Sequence, residues 1–157
     1  MMRRAIVVMT ILLLSNVAYA AGGDPVPAPT QKPDATPGVS AEERYNAGLA
    51  LRDRHEWRAA EAAFREAIQR KADFPEAWNE LGHALKNQKK FEGSLRAYNE
   101  ALRLRPDFPQ ALEYLGEAYV QMGKMDDARA VYARLQPLDA RYAAQLEQMM
   151  TGATARW

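Results

Sequence analysis

Three glycines constrain this chain more than any other feature. Gly48, Gly82 and Gly116 stand 34 and 34 residues apart, each inside a stretch rich in helix formers. A glycine inside a helix costs about 1 kcal/mol against alanine. Three at one phase need a shared cause. Close approach of a second helix is such a cause, because no Cβ stands in the way. Segments 41–74, 75–108 and 109–142 therefore define a 34-residue repeat. The first two share 9 of 34 positions and the last two share 8.

The columns that agree carry the argument. Column 4 reads Arg44, Trp78, Leu112, and column 7 reads Ala47, Leu81, Leu115. Column 8 is glycine throughout. Column 20 is Ala60, Ser94, Ala128; column 24 is Phe64, Tyr98, Tyr132; column 27 is Ala67, Ala101, Leu135. Pro106 stands at column 32 in the second segment only. The small residues of column 20 are predicted to face the glycines, with large residues filling the space around that contact. No alternating strand pattern of useful length appears. The pattern predicts helices over Ala41–Arg54, Trp57–Lys71, Pro75–Gln88, Phe91–Arg105, Pro109–Met122 and Met125–Leu135.

Local signals mark the ends. Ser40 and Glu43 fit a capping box. Asp73-Phe74-Pro75 and Asp107-Phe108-Pro109 separate the hairpins, Asp being suited to a helix start and Pro to its first turn. Gly123 suits the turn inside the third hairpin. Pro137 ends that hairpin early, and Asp139 is placed to cap a last helix, about 140–150, that covers the remaining open face. A frayed tail is expected over 151–157.

The pattern resembles the tetratricopeptide repeat family, whose units carry Trp-x2-Leu-Gly-x2-Leu/Tyr and then Ala, an aromatic, Ala and Pro at fixed offsets. Here it stands as Trp78-Asn79-Glu80-Leu81-Gly82-His83-Ala84-Leu85 and Leu112-Glu113-Tyr114-Leu115-Gly116-Glu117-Ala118-Tyr119. The first unit departs at Arg44 and Ala47. Such departures suit a terminal repeat whose outer face meets water. The resemblance implies an all-α fold, a right-handed α-solenoid of three helical hairpins plus a C-terminal capping helix, over 40–150. It also implies a concave groove lined by the first helix of each unit, where a partner segment lies. Carried over by column, the groove residues are Tyr45, Leu49 and Arg52; Glu76, Asn79, His83 and Lys86; and Gln110, Glu113 and Glu117. One subclass clamps the terminal carboxylate of chaperones with Lys, Arg and Asn. The corresponding columns here hold Tyr45, Leu49, Gln110 and Tyr114, so that ligand is not implied.

The N-terminus reads as an export leader, 1–20. Arg3 and Arg4 precede an apolar run from Ala5 to Leu14, and Ala18-Tyr19-Ala20 supplies a signal-peptidase site. Cleavage is expected after Ala20, with export to the periplasm; an uncleaved anchor is the alternative. Residues 21–39 hold Pro25, Pro27, Pro29, Pro33 and Pro37 and almost no apolar side chains. That composition predicts an extended spacer, or else a proline-rich ligand. No stable membrane insertion is expected after cleavage.

Chemistry is sparse. The absence of cysteine excludes disulfides, thiolate metal sites and a cysteine nucleophile. A net charge of +1 gives no reason to expect nucleic acid. His55 and His83 have no metal-ligand spacing, and no acid, base and nucleophile can be assembled. The sequence thus points to a non-enzymatic adaptor without cofactor or metal, holding a protein or peptide partner. The alternative is a structural subunit that self-associates, a homo-oligomer, through a terminal repeat or the last helix.

Overall fold

The computed structural model describes residues 38–154. The leader and its cleavage site, the proline-rich segment up to residue 37, and the last three residues lie outside them. The described residues form seven helices: α1 (Ala41–Asp53), α2 (Trp57–Arg70), α3 (Pro75–Asn87), α4 (Phe91–Leu104), α5 (Pro109–Gln121), α6 (Met125–Leu135) and α7 (Ala140–Thr154). They pair as three hairpins, α1 with α2, α3 with α4 and α5 with α6. Each second helix packs on the next first helix, and α7 closes the stack against α5 and α6. This is a helical-hairpin solenoid. The hairpin helices end within a residue of expectation, but α7 continues four residues past 150. Residues 151–154 of the expected tail are therefore helical.

The helix ends show why these segments start and stop where they do. At α1 the capping box is complete: Glu43 N–H donates to Ser40 Oγ at 3.0 Å, and Ser40 N–H donates to Glu43 at 2.5 Å. Such a cap is worth about 1 kcal/mol. Asp139 caps α7 through Oδ1, which accepts from the N–H groups of Arg141 and Tyr142. Asp73 and Asp107 make no cap. Phe74 and Phe108 occupy the N-cap positions of α3 and α5 without a side-chain bond, and both rings are buried. What starts these helices is proline at the first position, which loses no needed N–H, with the preceding Phe held in the core.

In the first two hairpins an aromatic ring stands nearest the glycine. A Cβ at Gly48 would stand 2.5 Å from the Phe64 ring, and one at Gly82 would stand 2.6 Å from the Tyr98 ring. Phe64 and Tyr98 are both fully buried. The close approach is real, and in these two hairpins the column-24 aromatic makes its nearest contact. Ala60, Ser94 and Ala128 are also fully buried, so column 20 is small for packing of its own. In the third hairpin the pattern changes. A Cβ at Gly116 would meet Leu146 of α7, and Tyr132 is only half-buried.

Leu81 and Leu115 (column 7), Ala67 and Ala101 (column 27) and Leu112 (column 4) lie in the core. Trp78 is half-buried, bridges two of the core clusters, and donates its indole N–H to the Ala72 carbonyl at 3.0 Å. Pro106 is exposed in the α4–α5 turn. At the open end, Ala47 is exposed and Arg44 pairs with Glu66 of α2 at 3.0 Å, as a water-facing first repeat requires.

Candidate partner-binding groove

The first helices α1, α3 and α5 place a layer of polar and aromatic side chains side by side. Columns 5, 9 and 12 recur at helical spacings of three and four, so they share one face of each helix. Residues 28 and 31 positions apart then meet across neighbouring helices. Arg52 donates from Nη1 to Glu80 Oε2 at 3.0 Å, and from Nη2 to Asp53 at 2.8 Å. Lys86 stands at the same column one repeat on. It pairs with Glu117 and lies 5.0 Å from the centre of the Tyr114 ring. The His83 ring stacks on Tyr114, centroids 4.7 Å apart, and meets Trp57 edge-on at 5.6 Å.

The ten groove residues expected from sequence separate into three groups. Arg52, Asn79, His83, Lys86, Glu113 and Glu117 share the central layer. Gln110 joins its edge, donating from Nε2 to Tyr114 Oη at 3.2 Å. Tyr45 and Leu49 are half-buried against the cluster around Phe64, Leu81 and Leu85, and the Tyr45 ring lies 4.9 Å from Phe74. Glu76 is drawn away to the end of α4, where it pairs with Arg105. Glu42 at the same column pairs with Lys71 at the end of α2, 3.0 Å away.

The central layer is more enclosed than a solvated helix face. Asn79, Lys86 and Glu113 are 1%, 4% and 5% exposed. Burial sets the electrostatics. It pushes Glu113 up to about 7, and the neighbouring Glu117 adds to the shift while Lys86 opposes it. Burial likewise raises Glu80, against the pull of Arg52. Burial, aided by Lys86 and Arg52, lowers His83 to about 4, so this imidazole is neutral at pH 7. Tyr45 is pushed up to about 12 by burial and by Glu80 and Glu76.

Four participants escaped the column argument. Glu80 and Tyr114 lie at column 6, beside the expected lining. Trp57 comes from a second helix. Tyr98 reaches the layer from α4, over Gly82. One signal was available for the first two. Column 12 is Arg52 and Lys86, and the residue 28 positions after each is Glu80 or Tyr114, a carboxylate or a ring for that cation. Among the described residues no group of three or more His, Asp and Glu could hold a metal, and no helix is long and apolar enough to cross a membrane.

A family model for the tetratricopeptide repeat matches residues 45–93 and 79–143. No curated protein matches the chain. Solved structures similar in fold include the TPR2B-domain:pHsp70-complex of yeast Sti1, at 20% identity and TM-score 0.69, covering 74% of this chain and 98% of that one. The first TPR of Spaghetti bound to an HSP90 peptide is similar at 19% identity and TM-score 0.68, covering 74% and 94%. PcrH in complex with the chaperone binding region of PopD is similar at 21% identity and TM-score 0.66, covering 73% and 91%.

Proposed function

The chain belongs to the tetratricopeptide repeat family, and on that premise we propose that it is an exported, non-enzymatic adaptor of the cell envelope that holds a partner segment against α1, α3 and α5. The observation that carries this reading is the layer running from Arg52 through Glu80, His83 and Tyr114 to Lys86 and Glu117. Three consecutive first helices contribute to it, so a ligand lying across them contacts every repeat. The similar structures named above are complexes with peptides or binding regions, which supports a segment as the ligand. The export half of the reading rests on the leader sequence and its Ala18-Tyr19-Ala20 site.

The self-association reading uses a terminal repeat or the last helix. That helix turns Ala143 and Leu146 inward onto the third hairpin and leaves Ala144, Gln145, Glu147 and Gln148 exposed. Such a polar outer face suits a cap.

Position-specific photo-crosslinking in intact cells tests the groove. Probes at Leu49, Gln110 and Gln121, the last one turn beyond Glu117 and bonded to it, should each join one and the same partner, while probes at Arg96 and Arg129 on second helices should not. Adducts from the second helices alone would sink the reading. For export, the N-terminal residue of the mature chain recovered from the periplasmic fraction should be Ala21. An uncleaved chain retained with membranes overturns that half.

A further inference from the structure

The central layer is rich in acceptors and short of donors. α5 carries two carboxylates, Glu113 and Glu117, one turn apart, and no cation. Like charges at that spacing repel. Lys86 is the one cation between α3 and α5, and Glu117 takes it. Glu113, a residue 5% exposed, takes no hydrogen-bond donor among the described residues, and its carboxylate oxygens still reach solvent. On the α1 side, Arg52 is divided between Asp53 and Glu80. His83 adds no charge.

Independent observations point the same way. Three buried polar atoms of this region have no partner: Asn79 Oδ1, His83 Nδ1 and the Tyr98 hydroxyl. Asn79 and Tyr98 are 1% and 0% exposed. Asn79 gives its amide N–H to Glu80 at 3.3 Å, which leaves Oδ1 as an acceptor without a donor. His83 Nδ1 lies 4.0 Å from Glu80, too far to bond. The Tyr98 hydroxyl is in the field of Glu117, Glu80 and Glu113 and bonds to none of them. Leaving a buried polar group unmatched is costly, and Asn79 Oδ1, which can only accept, marks where a ligand's donor belongs.

We propose that this layer receives a basic side chain of the bound segment, a guanidinium or ammonium whose N–H groups donate to Glu113, Glu117 and Asn79 Oδ1. The proposal rests on the groove reading above and adds the chemistry of the occupant. Glu117 and His83 keep 24% and 20% of their side chains exposed, so the layer can be reached from solvent on their side. Arginine suits the site better than lysine, because its five donors form a planar fork that reaches several acceptors at once. The charge preference is opposite to that of a groove built to clamp a carboxylate.

Fluorescence anisotropy with the full chain tests it, using labelled octapeptides of alternating Arg-Ala, Lys-Ala, Gln-Ala and Glu-Ala at low salt. The Arg-Ala peptide should bind at least tenfold more tightly than Gln-Ala, Lys-Ala should fall between them, and Glu-Ala should not bind. Glu113→Gln and Glu117→Gln should each weaken Arg-Ala binding about fivefold or more with helicity unchanged. Glu92→Gln and Asp126→Asn, equal charge changes on second helices, should leave it intact. No preference for the basic peptides, or equal losses in all four variants, overturns the proposal. The groove reading fails separately. If crosslinks at Gln110 capture a segment without Lys or Arg, the groove stands and the basic occupant falls. If no crosslink forms at Leu49, Gln110 or Gln121, the groove itself falls.

Discussion

The second and third hairpins cover the same glycine with different residues. Over Gly82 lies the Tyr98 ring from the hairpin's own second helix, fully buried. Over Gly116 lies Leu146, from a helix outside the repeat, while Tyr132 stays half in water. The sequence change behind this is small. Column 27 grows from Ala101 to Leu135, and Pro137 follows two residues later. α6 then stops at Leu135, and α7 enters at Ala140. Counted in 34-residue steps, Leu146 falls on the column of Trp78 and Leu112, so α7 occupies the phase of a fourth first helix. The packing differs from that of a first helix, because α7 lies against α5 as well as α6, whereas α3 meets the preceding hairpin mainly through α2.

The largest test of that difference compares column 24. Phe64→Ala should lose about 3–5 kcal/mol, as expected for a buried aromatic. Tyr132→Ala should lose about 1 kcal/mol, a typical value for a half-buried site. Urea denaturation followed by circular dichroism measures both. Equal losses would show that the third aromatic does the same structural work as the first.

The glycines give a smaller and more local contrast. At Gly82 a methyl group meets a ring held on every side, and overpacking of this kind costs about 1–3 kcal/mol. The better helix propensity of alanine offsets about 1 kcal/mol of that. At Gly116 the obstacle is the end of a Leu side chain on a terminal helix. Gly82→Ala should therefore lower global stability. Gly116→Ala should mainly release α7, read as faster amide hydrogen exchange confined to residues 140–154. If α7 amides keep their protection while the whole chain weakens, Leu146 is not what covers that glycine.

Most of the fold was legible because the repeat presents the same evidence three times. The ends of the six hairpin helices to within a residue, the capping box and the role of Asp139 all followed from local signals. Two parts did not. The column-20 residues are fully buried, but spacing alone cannot say that a ring would stand nearest the glycine. Phe64 and Tyr98 were visible as a column, but their placement over the first helix is a tertiary fact. For the candidate groove, the columns identified residues sharing one helix face and could not reveal their enclosure. Asn79 and Glu113 look like surface residues in the sequence and are buried in the structure. Column 12 held the better clue. It is Arg52, then Lys86, then Val120, and the cation disappears where α7 replaces a further full repeat.

The layer also divides by pH response, and in the native chain the effect is reduced because two groups oppose each other. His83, neutral and lowered to about 4, contributes stability that is present above its ordinary value near 6.5 and lost as pH falls toward 4. Glu113, raised to about 7, behaves oppositely. Its folded form holds a proton that the unfolded form releases from about 4.5 upward, so stability falls as pH rises toward 7. Glu113→Gln should therefore make stability rise more steeply between pH 4.5 and 7 than in the native chain. Chemical denaturation midpoints across that range check the sign, and parallel curves would remove Glu113 from the account.

The smallest effect lies in the turns inside the hairpins, where one column again separates the third from the others. His55, Lys89 and Gly123 stand at column 15, and all three have positive φ, at 59°, 60° and 72°. The left-handed region is uncomfortable for a residue with a Cβ and free for glycine. The first two hairpins hold that conformation with a strained residue, and the third with a relaxed one. The strain is held by backbone bonds that repeat with the column. Lys90 N–H donates to the Leu85 carbonyl, and Lys124 N–H donates to the Tyr119 carbonyl, at 3.0 and 2.9 Å. The turn is therefore the same in both hairpins, and only the side chain differs. Lys89→Gly should raise stability by about 0.5–1 kcal/mol, the strain relieved less the added entropy of an unfolded glycine. Gly123→Ala should lower it by about 1 kcal/mol for the same reason in reverse. Lys89 is exposed and its ammonium makes no ion pair among the described residues, so the first change tests the backbone alone. A loss of stability in Lys89→Gly would mean that the lysine side chain, not the φ of the turn, matters at that position.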